Sequence, residues 1–486
     1  MRLAAEQLRA AVLALGGLLA TPVGAESLLL RAGQLLDVER GTLLADQAIR
    51  IEDGRITAIG PWREAAAAGT QVLDWSAYTV LPGLMDMHSH LVGDIQSANI
   101  AAPLLSSAAQ DALAGAANAR ATLEAGFTTV RDVGCYRAFT DVALRDAIAS
   151  GQVPGPRMFV AGAYLTVTHG GGEVTGFAPD VVVPAEMRRG VADSIAEIRQ
   201  RVRELLGGGA DFIKIIATGA VLTAGTNPSA SEYNEEEIRA AVEEAANAGT
   251  FVTAHAHGVE GIKRAVRAGV RSIEHASYLD DEGIALMVKH GTWLVADIYN
   301  GDYIAEIGKR DGWPAEILRK NRETTDTQRA AFEKAVRAGV RIAYGTDSGV
   351  YPHGRNANQF RYMVRYGMTP LQAIRSATLD SARLLGHEKD FGSIAVGRSA
   401  DLIAVAGDPL VDVRVLEDVR GVIQAGRVVR SVGLREPRTL TPDPSPGGRG
   451  EISAADARSP SLAGRRACPG LDPGWREAPD EGTESP

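Results

Sequence analysis

Two periodicities divide the chain. From residue 26 to residue 80, short alternations of apolar and polar positions dominate. Ser27–Leu30, Gln47–Glu52, Arg55–Ile59 and Gln71–Asp74 read as strands. Asp53-Gly54, between two of them, is a hairpin signal. From residue 81 onward, apolar runs alternate with helical stretches. Eight runs read as strands: Gly83–His90, Thr128–Val133, Arg157–Leu165, Asp211–Thr218, Phe251–His257, Arg271–Ala276, Thr292–Ile298 and Arg341–Asp347. Several of the helical stretches close on Ala-Gly, as at Leu123–Gly126, Ala246–Gly249, Ala265–Gly269 and Lys334–Gly339, and glycine just past a helix end is the usual stop. Strand–helix repetition predicts an α/β fold with a parallel sheet. Eight even units predict a (β/α)8 TIM barrel over a doubly wound open sheet. After a helical run at Thr369–Leu385, strands return at Phe391–Ile394, Asp401–Val405, Gly421–Ala425 and Arg427–Val429. The two β blocks, 26–80 and 387–435, are expected to fold together as a small flanking β-sandwich domain. The barrel then spans 81–386.

The chain ends differ from this body. Residues 1–25 read as a secretory signal peptide: Arg2 and Arg9, an apolar stretch Ala10–Ala20 too short to span a bilayer, and a small-residue pattern at Val23-Gly24-Ala25. That predicts a periplasmic or secreted protein. Residues 436–486 are rich in Pro, Gly, Ser, Arg and Glu, lack periodicity and are expected to be disordered. Composition adds exclusions. A net charge of −9 without a basic stripe argues against a nucleic-acid partner. With two cysteines, one of them in the tail, a structural disulfide is not expected.

Polar residues that close apolar strands carry the chemistry. His88 and His90 lie on one strand face, because side chains alternate, and two imidazoles on one face can hold one metal ion. Alone, such a pair also fits an ordinary strand end. Four later strands supply further ligand types: Lys214 in Phe-Ile-Lys-Ile-Ile, His255 and His257, His275, and Asp347. A barrel gathers strand ends at one mouth. A lysine in an apolar strand either pairs with an acid or sits uncharged. The uncharged amine can take up carbon dioxide, and the resulting carbamate can bridge two ions.

The ordered set Pro-Gly-Leu-Met-Asp-Met-His-Ser-His, Phe-Ile-Lys-Ile, Thr-Ala-His-Ala-His-Gly, Ser-Ile-Glu-His-Ala and Gly-Thr-Asp-Ser-Gly resembles the amidohydrolase superfamily over residues 26–435. Within it the chain is similar to the imidazolonepropionase-related group of exported metallo-dipeptidases, which release C-terminal proline, arginine or lysine. That group also holds hydrolases of ochratoxin-type N-acyl amino acids. The resemblance implies two divalent metal ions, zinc by default. His88, His90, N6-carboxylated Lys214 and Asp347 would hold the more buried ion, and Lys214, His255 and His275 the second. It implies a bridging hydroxide that attacks a linear amide, with Asp347 shuttling the proton. His257 would face the substrate rather than a metal, and Tyr233 the substrate carboxylate; His169, on the loop after the third strand, is either a solvated loop residue or a contact to the substrate carbonyl. Homo-oligomerisation is a further expectation, with a small-molecule substrate and no membrane partner after signal removal. The alternatives are a cyclic amidase of imidazolonepropionase type and a catalytically silent binding protein on the same barrel.

Overall fold

Residues 27–63, 71–93 and 99–431 are described in the computed structural model. The signal-like segment and the tail lie outside them. Among the described residues no helix is long and apolar enough to cross a membrane.

The two β blocks meet in one seven-stranded sheet. Its strands are β1 (Ser27–Asp37), β2 (Thr42–Glu52), β3 (Arg55–Pro61), β4 (Gln71–Pro82), β13 (Leu402–Val405), β14 (Val419–Gln424) and β15 (Arg427–Arg430). The order is β15-β14-β13-β4-β1-β2-β3. β1 pairs parallel with β4 and antiparallel with β2, and β13 runs antiparallel to β4. Residues from both blocks, among them Leu30, Ile49, Trp75, Leu402 and Ile423, share one apolar cluster. Burying such side chains contributes about 1.5–3 kcal/mol each. The hairpin β1–β2 extends well past the expected Leu30, because Asp37 accepts from the backbone N–H groups of Glu39 and Arg40 and so closes the turn. Phe391–Ile394, by contrast, forms no strand.

β4 leads directly into the barrel. Its strands are β5 (Leu84–Ser89), β6 (Phe127–Asp132), β7 (Arg157–Val160), β8 (Tyr164–Leu165), β9 (Ile213–Ile216), β10 (Val252–Ala256), β11 (Ser272–His275) and β12 (Trp293–Val295). β5-β6-β7 and β8-β9-β10-β11-β12 form two parallel sheets. The expected third strand is thus split into β7 and β8. The expected eighth strand is an irregular extended segment rather than a ladder. It still closes the barrel: the Leu294 N–H donates to Arg341 O, and the Met87 N–H to Tyr344 O on the other side. Isolated bridges join Leu294 to Ile342 and Ser89 to Ser348. These strands are buried on both faces, which is why their sequences are continuous apolar runs.

Helices cover the outside. Glu235–Asn247 shows why they form where they do. Asn234 accepts from the Glu237 N–H, the Glu237 side chain returns to the Asn234 N–H, and Ile238, Ala241 and Ala245 face the core. The expected helix at 369–385 is two, Pro370–Ser376 and Leu379–Leu385.

Candidate metal centre

The barrel interior sets the site from below. Lys214 pairs in register with Thr253. Thr253 in turn pairs with Ser272, and Thr253, Ser272 and Glu274 form hydrogen bonds with one another. Arg131, fully buried, donates to Glu274 Oε1 at 2.7 Å, to Ser272 Oγ at 3.0 Å and, through Nε, to Met87 O at 2.6 Å. The acid that pairs with Arg131 is Glu274 rather than the adjacent Asp132, whose oxygens take the Leu91 and Gly134 N–H groups. Glu274 Oε2 lies 2.9 Å from His88 Nδ1, so the carboxylate orients that ring.

Five imidazoles ring the mouth with one nitrogen of each engaged, His257 through Nδ1 to Ser277 Oγ. His88 Nδ1 meets Glu274, His90 Nδ1 lies 2.9 Å from Gly134 O, and His275 Nδ1 lies 2.9 Å from Asp297 Oδ1. Each arrangement leaves Nε2 for the site, as second partners of metal-binding histidines do. His255 is reversed: its Nε2 lies 3.3 Å from Gly219 O, which leaves Nδ1. Asp347 Oδ1 lies 3.4 Å from His88 Nε2 and 3.3 Å from His90 Nε2. Among the described residues, three sets have ligand atoms within 4.8 Å of one another: His88–His90–Asp347, His255–His257–His275 and His275–Asp297–Asp347. Nitrogen and carboxylate donors of this kind suit zinc and neighbouring first-row ions.

Local backbone brings the last two strand ends inward. Glu274 already points into the barrel, so simple alternation would turn His275 out. His275 and Asp347 instead adopt left-handed conformations, φ 68° and 55°. Such residues cost on the order of 1–3 kcal/mol and persist only where the surroundings hold them. Gly345 permits the close approach of the closing segment, since a Cβ there would lie 2.2 Å from Val295 Cγ1 and 2.9 Å from His88 Cβ.

Burial and charge set the protonation states. Burial, reinforced by neighbouring histidines and Lys214, holds His255 and His257 well below the ordinary imidazole range. Burial and Lys214 also lower His88. Neutral rings carry the free lone pair that a ligand needs. His275 goes up: burial opposes its charge, but Asp297 in contact and Asp347 nearby outweigh it. Asp347 is held well below the carboxylate range, because His88 and His90 overcome its burial. Lys214 is pushed down to about 8 by burial and by Arg131, against the pull of Glu274. Its amine is therefore partly uncharged near neutral pH.

These groups line one cleft of about 850 Å³, open solvent at its mouth included. His88, His90, Lys214, His255, His257, His275, Asp297 and Asp347 form its polar floor. Tyr136, Tyr164, Leu222, Ile304 and Val350 form an aromatic and apolar wall. Two expected substrate contacts are not brought there. His169 is exposed on its loop, where its backbone N–H donates to Glu173 Oε2. Tyr233 is buried in the core, its hydroxyl donating to Ala192 O at 2.8 Å. Neither lines the cleft. His353, past the closing segment, is half-buried with Nδ1 2.8 Å from Ser348 Oγ and also lies outside it. Asp297, Asn300 and Gln328, which do line it, were not anticipated. Asp297 had a readable signal: like Asp347, it is an acid closing an apolar strand run.

A sequence model described as the amidohydrolase family matches residues 79–429. The chain belongs to the amidohydrolase family. Among curated amidohydrolase-type relatives, ochratoxinase of Aspergillus niger is 33% identical over 376 residues, 73% of this chain and 76% of that protein. Imidazolonepropionase of Sphingopyxis alaskensis is 25% identical over 398 residues, 76% of this chain and 88% of that protein. Among solved structures, a Xaa-Pro dipeptidase with methionine bound in its active site is 39% identical, with a TM-score of 0.78 over 83% of this chain and 99% of that one. This amidohydrolase is thus a hydrolase of carbon–nitrogen bonds, built as an α/β barrel with a flanking sheet.

Proposed function

We propose that this amidohydrolase cleaves a linear amide between an acyl group and an amino acid, in a dipeptide or an N-acyl amino acid, at a centre of two divalent metal ions. The observation that carries it is the convergence of His88, His90, Lys214, His255, His275 and Asp347 on one cleft floor. His88, His90, Lys214 and Asp347 would hold one ion, and Lys214, His255 and His275 the other, with zinc the metal expected and Lys214 carboxylated. When bound, such ions make hydroxide available near neutral pH and polarise a carbonyl.

The chain's own groups do the rest. Asp347 stays ionised beside the reacting centre, so it can take a proton from water and pass it to the leaving amine. His257 Nδ1 lies 2.7 Å from Ser277 Oγ. When that hydroxyl donates to Nδ1, the ring proton sits on Nε2, which can donate to a developing oxyanion. Tyr136, Tyr164, Leu222, Ile304 and Val350 can hold the side chain of the substrate. The linear-amide reading is supported by the relatives: a Xaa-Pro dipeptidase at 39% and an ochratoxinase at 33% identity, against 25% for imidazolonepropionase.

A panel of dipeptides, N-acyl amino acids and cyclic amides tests the proposal. Release of a free amino acid from a linear substrate supports it. Turnover of cyclic amides alone assigns the cyclic class instead, and no turnover of any amide by metal-loaded protein leaves a silent barrel.

A further inference from the structure

We propose that Asn300 is a positioning residue that locks together the Asp297 and Asp347 carboxylates, and with them the two halves of the metal centre. Its Nδ2 donates to Asp297 Oδ2 at 2.9 Å and to Asp347 Oδ2 at 3.0 Å. Both neighbours are acceptors, so the geometry places the amide nitrogen, not its oxygen, between them. The other oxygen of each carboxylate faces histidine. Asp347 Oδ1 meets His88 and His90, and Asp297 Oδ1 meets His275. One amide group therefore sets the rotation of both acids, and each acid turns its free oxygen toward a different set of imidazoles. Without that bridge the two carboxylates repel each other across the cleft.

Two further observations single out the residue. Asn300 Oδ1 is buried and has no hydrogen-bond partner, so the fold leaves the acceptor unmatched while the donor engages both acids. Buried polar atoms are rarely left so, and a leftover one calls for a reason. The segment is also seated closely: a Cβ on Gly301 would lie 2.2 Å from Thr325 Oγ1, and the Asn321 amide donates to Gly301 O at 2.9 Å. The long helix Ala315–Ala338 thus fixes the position of Asn300.

The inference rests on the proposed metal centre, and the test separates the two. Zinc affinity and zinc per chain are measured by competition with a chromophoric chelator, for wild type, Asn300→Leu, Asn300→Ser and Gln328→Leu. Melting of the metal-free proteins is recorded alongside. Leucine keeps the volume and removes the donor, and serine is too short to span both acids. Gln328 donates to Asp297 Oδ1 at 2.8 Å and does not touch Asp347, so its variant weakens one ion only. For both Asn300 variants the affinity for both ions is expected to fall about 10–100-fold, the usual cost of losing an outer partner, while the metal-free protein, although melting lower, still unfolds cooperatively. If the leucine variant does not fold, the serine variant decides. Wild-type affinity for both ions in a folded Asn300 variant, or weakening of one ion only, overturns the inference. A wild-type protein that binds no zinc overturns the proposed function itself, and this inference with it.

Discussion

Arg131→Met is the most demanding perturbation of the barrel floor. Arg131 and Glu274 are both fully buried, with the guanidinium 2.7 Å from Oε1. Removing one partner of a buried pair leaves the other charge unpaired, which costs about 3–5 kcal/mol. Here the variant also removes the guanidinium donors from Met87 O and Ser272 Oγ. His88 stays on Oε2, and Glu274 keeps only Thr253 and Ser272 on its other oxygen. Against a typical stability of about 5–15 kcal/mol, the loss is large. Urea unfolding of the metal-free protein, followed by far-ultraviolet dichroism, measures it. Pairing Arg131→Met with Glu274→Leu gives the cycle: replacing the whole pair by apolar groups should cost less than the two single losses summed. The reasoning is refuted if Arg131→Met lowers the unfolding free energy by less than about 1 kcal/mol, a cost typical of an ordinary substitution. Additive single losses would refute the pairing as well.

Four further outcomes follow from the same structure. Lys214 titrates at about 8, and only the free amine reacts with carbon dioxide, so bicarbonate-assisted zinc loading should be faster at pH 9 than at pH 6 and absent in Lys214→Ala; pH-independent loading would contradict this. Burial raises Asp86 from 3.8 to about 6 despite donors from Thr346, Asn356 and the backbone. The native state therefore holds that proton more tightly than the unfolded chain. This contribution is full below pH 3.8 and is lost as pH rises through about 6, roughly 3 kcal/mol at about 1.4 kcal/mol per unit. The Asp86→Asn variant should gain that much relative to wild type between pH 4 and 7, and parallel profiles would refute it. His169→Ala should leave kcat/KM within about twofold. Tyr233→Phe should lower stability by about 1 kcal/mol through one lost hydrogen bond, without raising KM; a tenfold rise in KM would return Tyr233 to the substrate.

The parts legible in the sequence were those governed by strand periodicity. His88, His90, Lys214, His255, His275 and Asp347 each close or interrupt an apolar run, and all six line one cleft. What periodicity could not show is the departure from it. The closing segment 341–348 holds no regular ladder, because Asp347 turns left-handed to face His88 and His90. The third strand breaks between Val160 and Tyr164. Tyr233 and His169 follow strands in sequence and so were placed at the mouth. Side-chain direction decided otherwise, Tyr233 turning to Ala192 O in the core. Glu274 escaped notice because its role depends on Arg131, 143 residues away. Asn300 escaped notice because a single asparagine at the start of a short helix carries no pattern at all; its meaning lies in the two acids it bridges.

The central claim is metal-dependent cleavage of a linear amide at this centre. Its most direct test is to count metal ions per chain and follow free amino acid release from a dipeptide and N-acyl-amino-acid panel, before chelation, after it, and after zinc is returned. The account predicts two ions per chain, loss of turnover on their removal and recovery on their return. Full turnover by metal-free protein would contradict it.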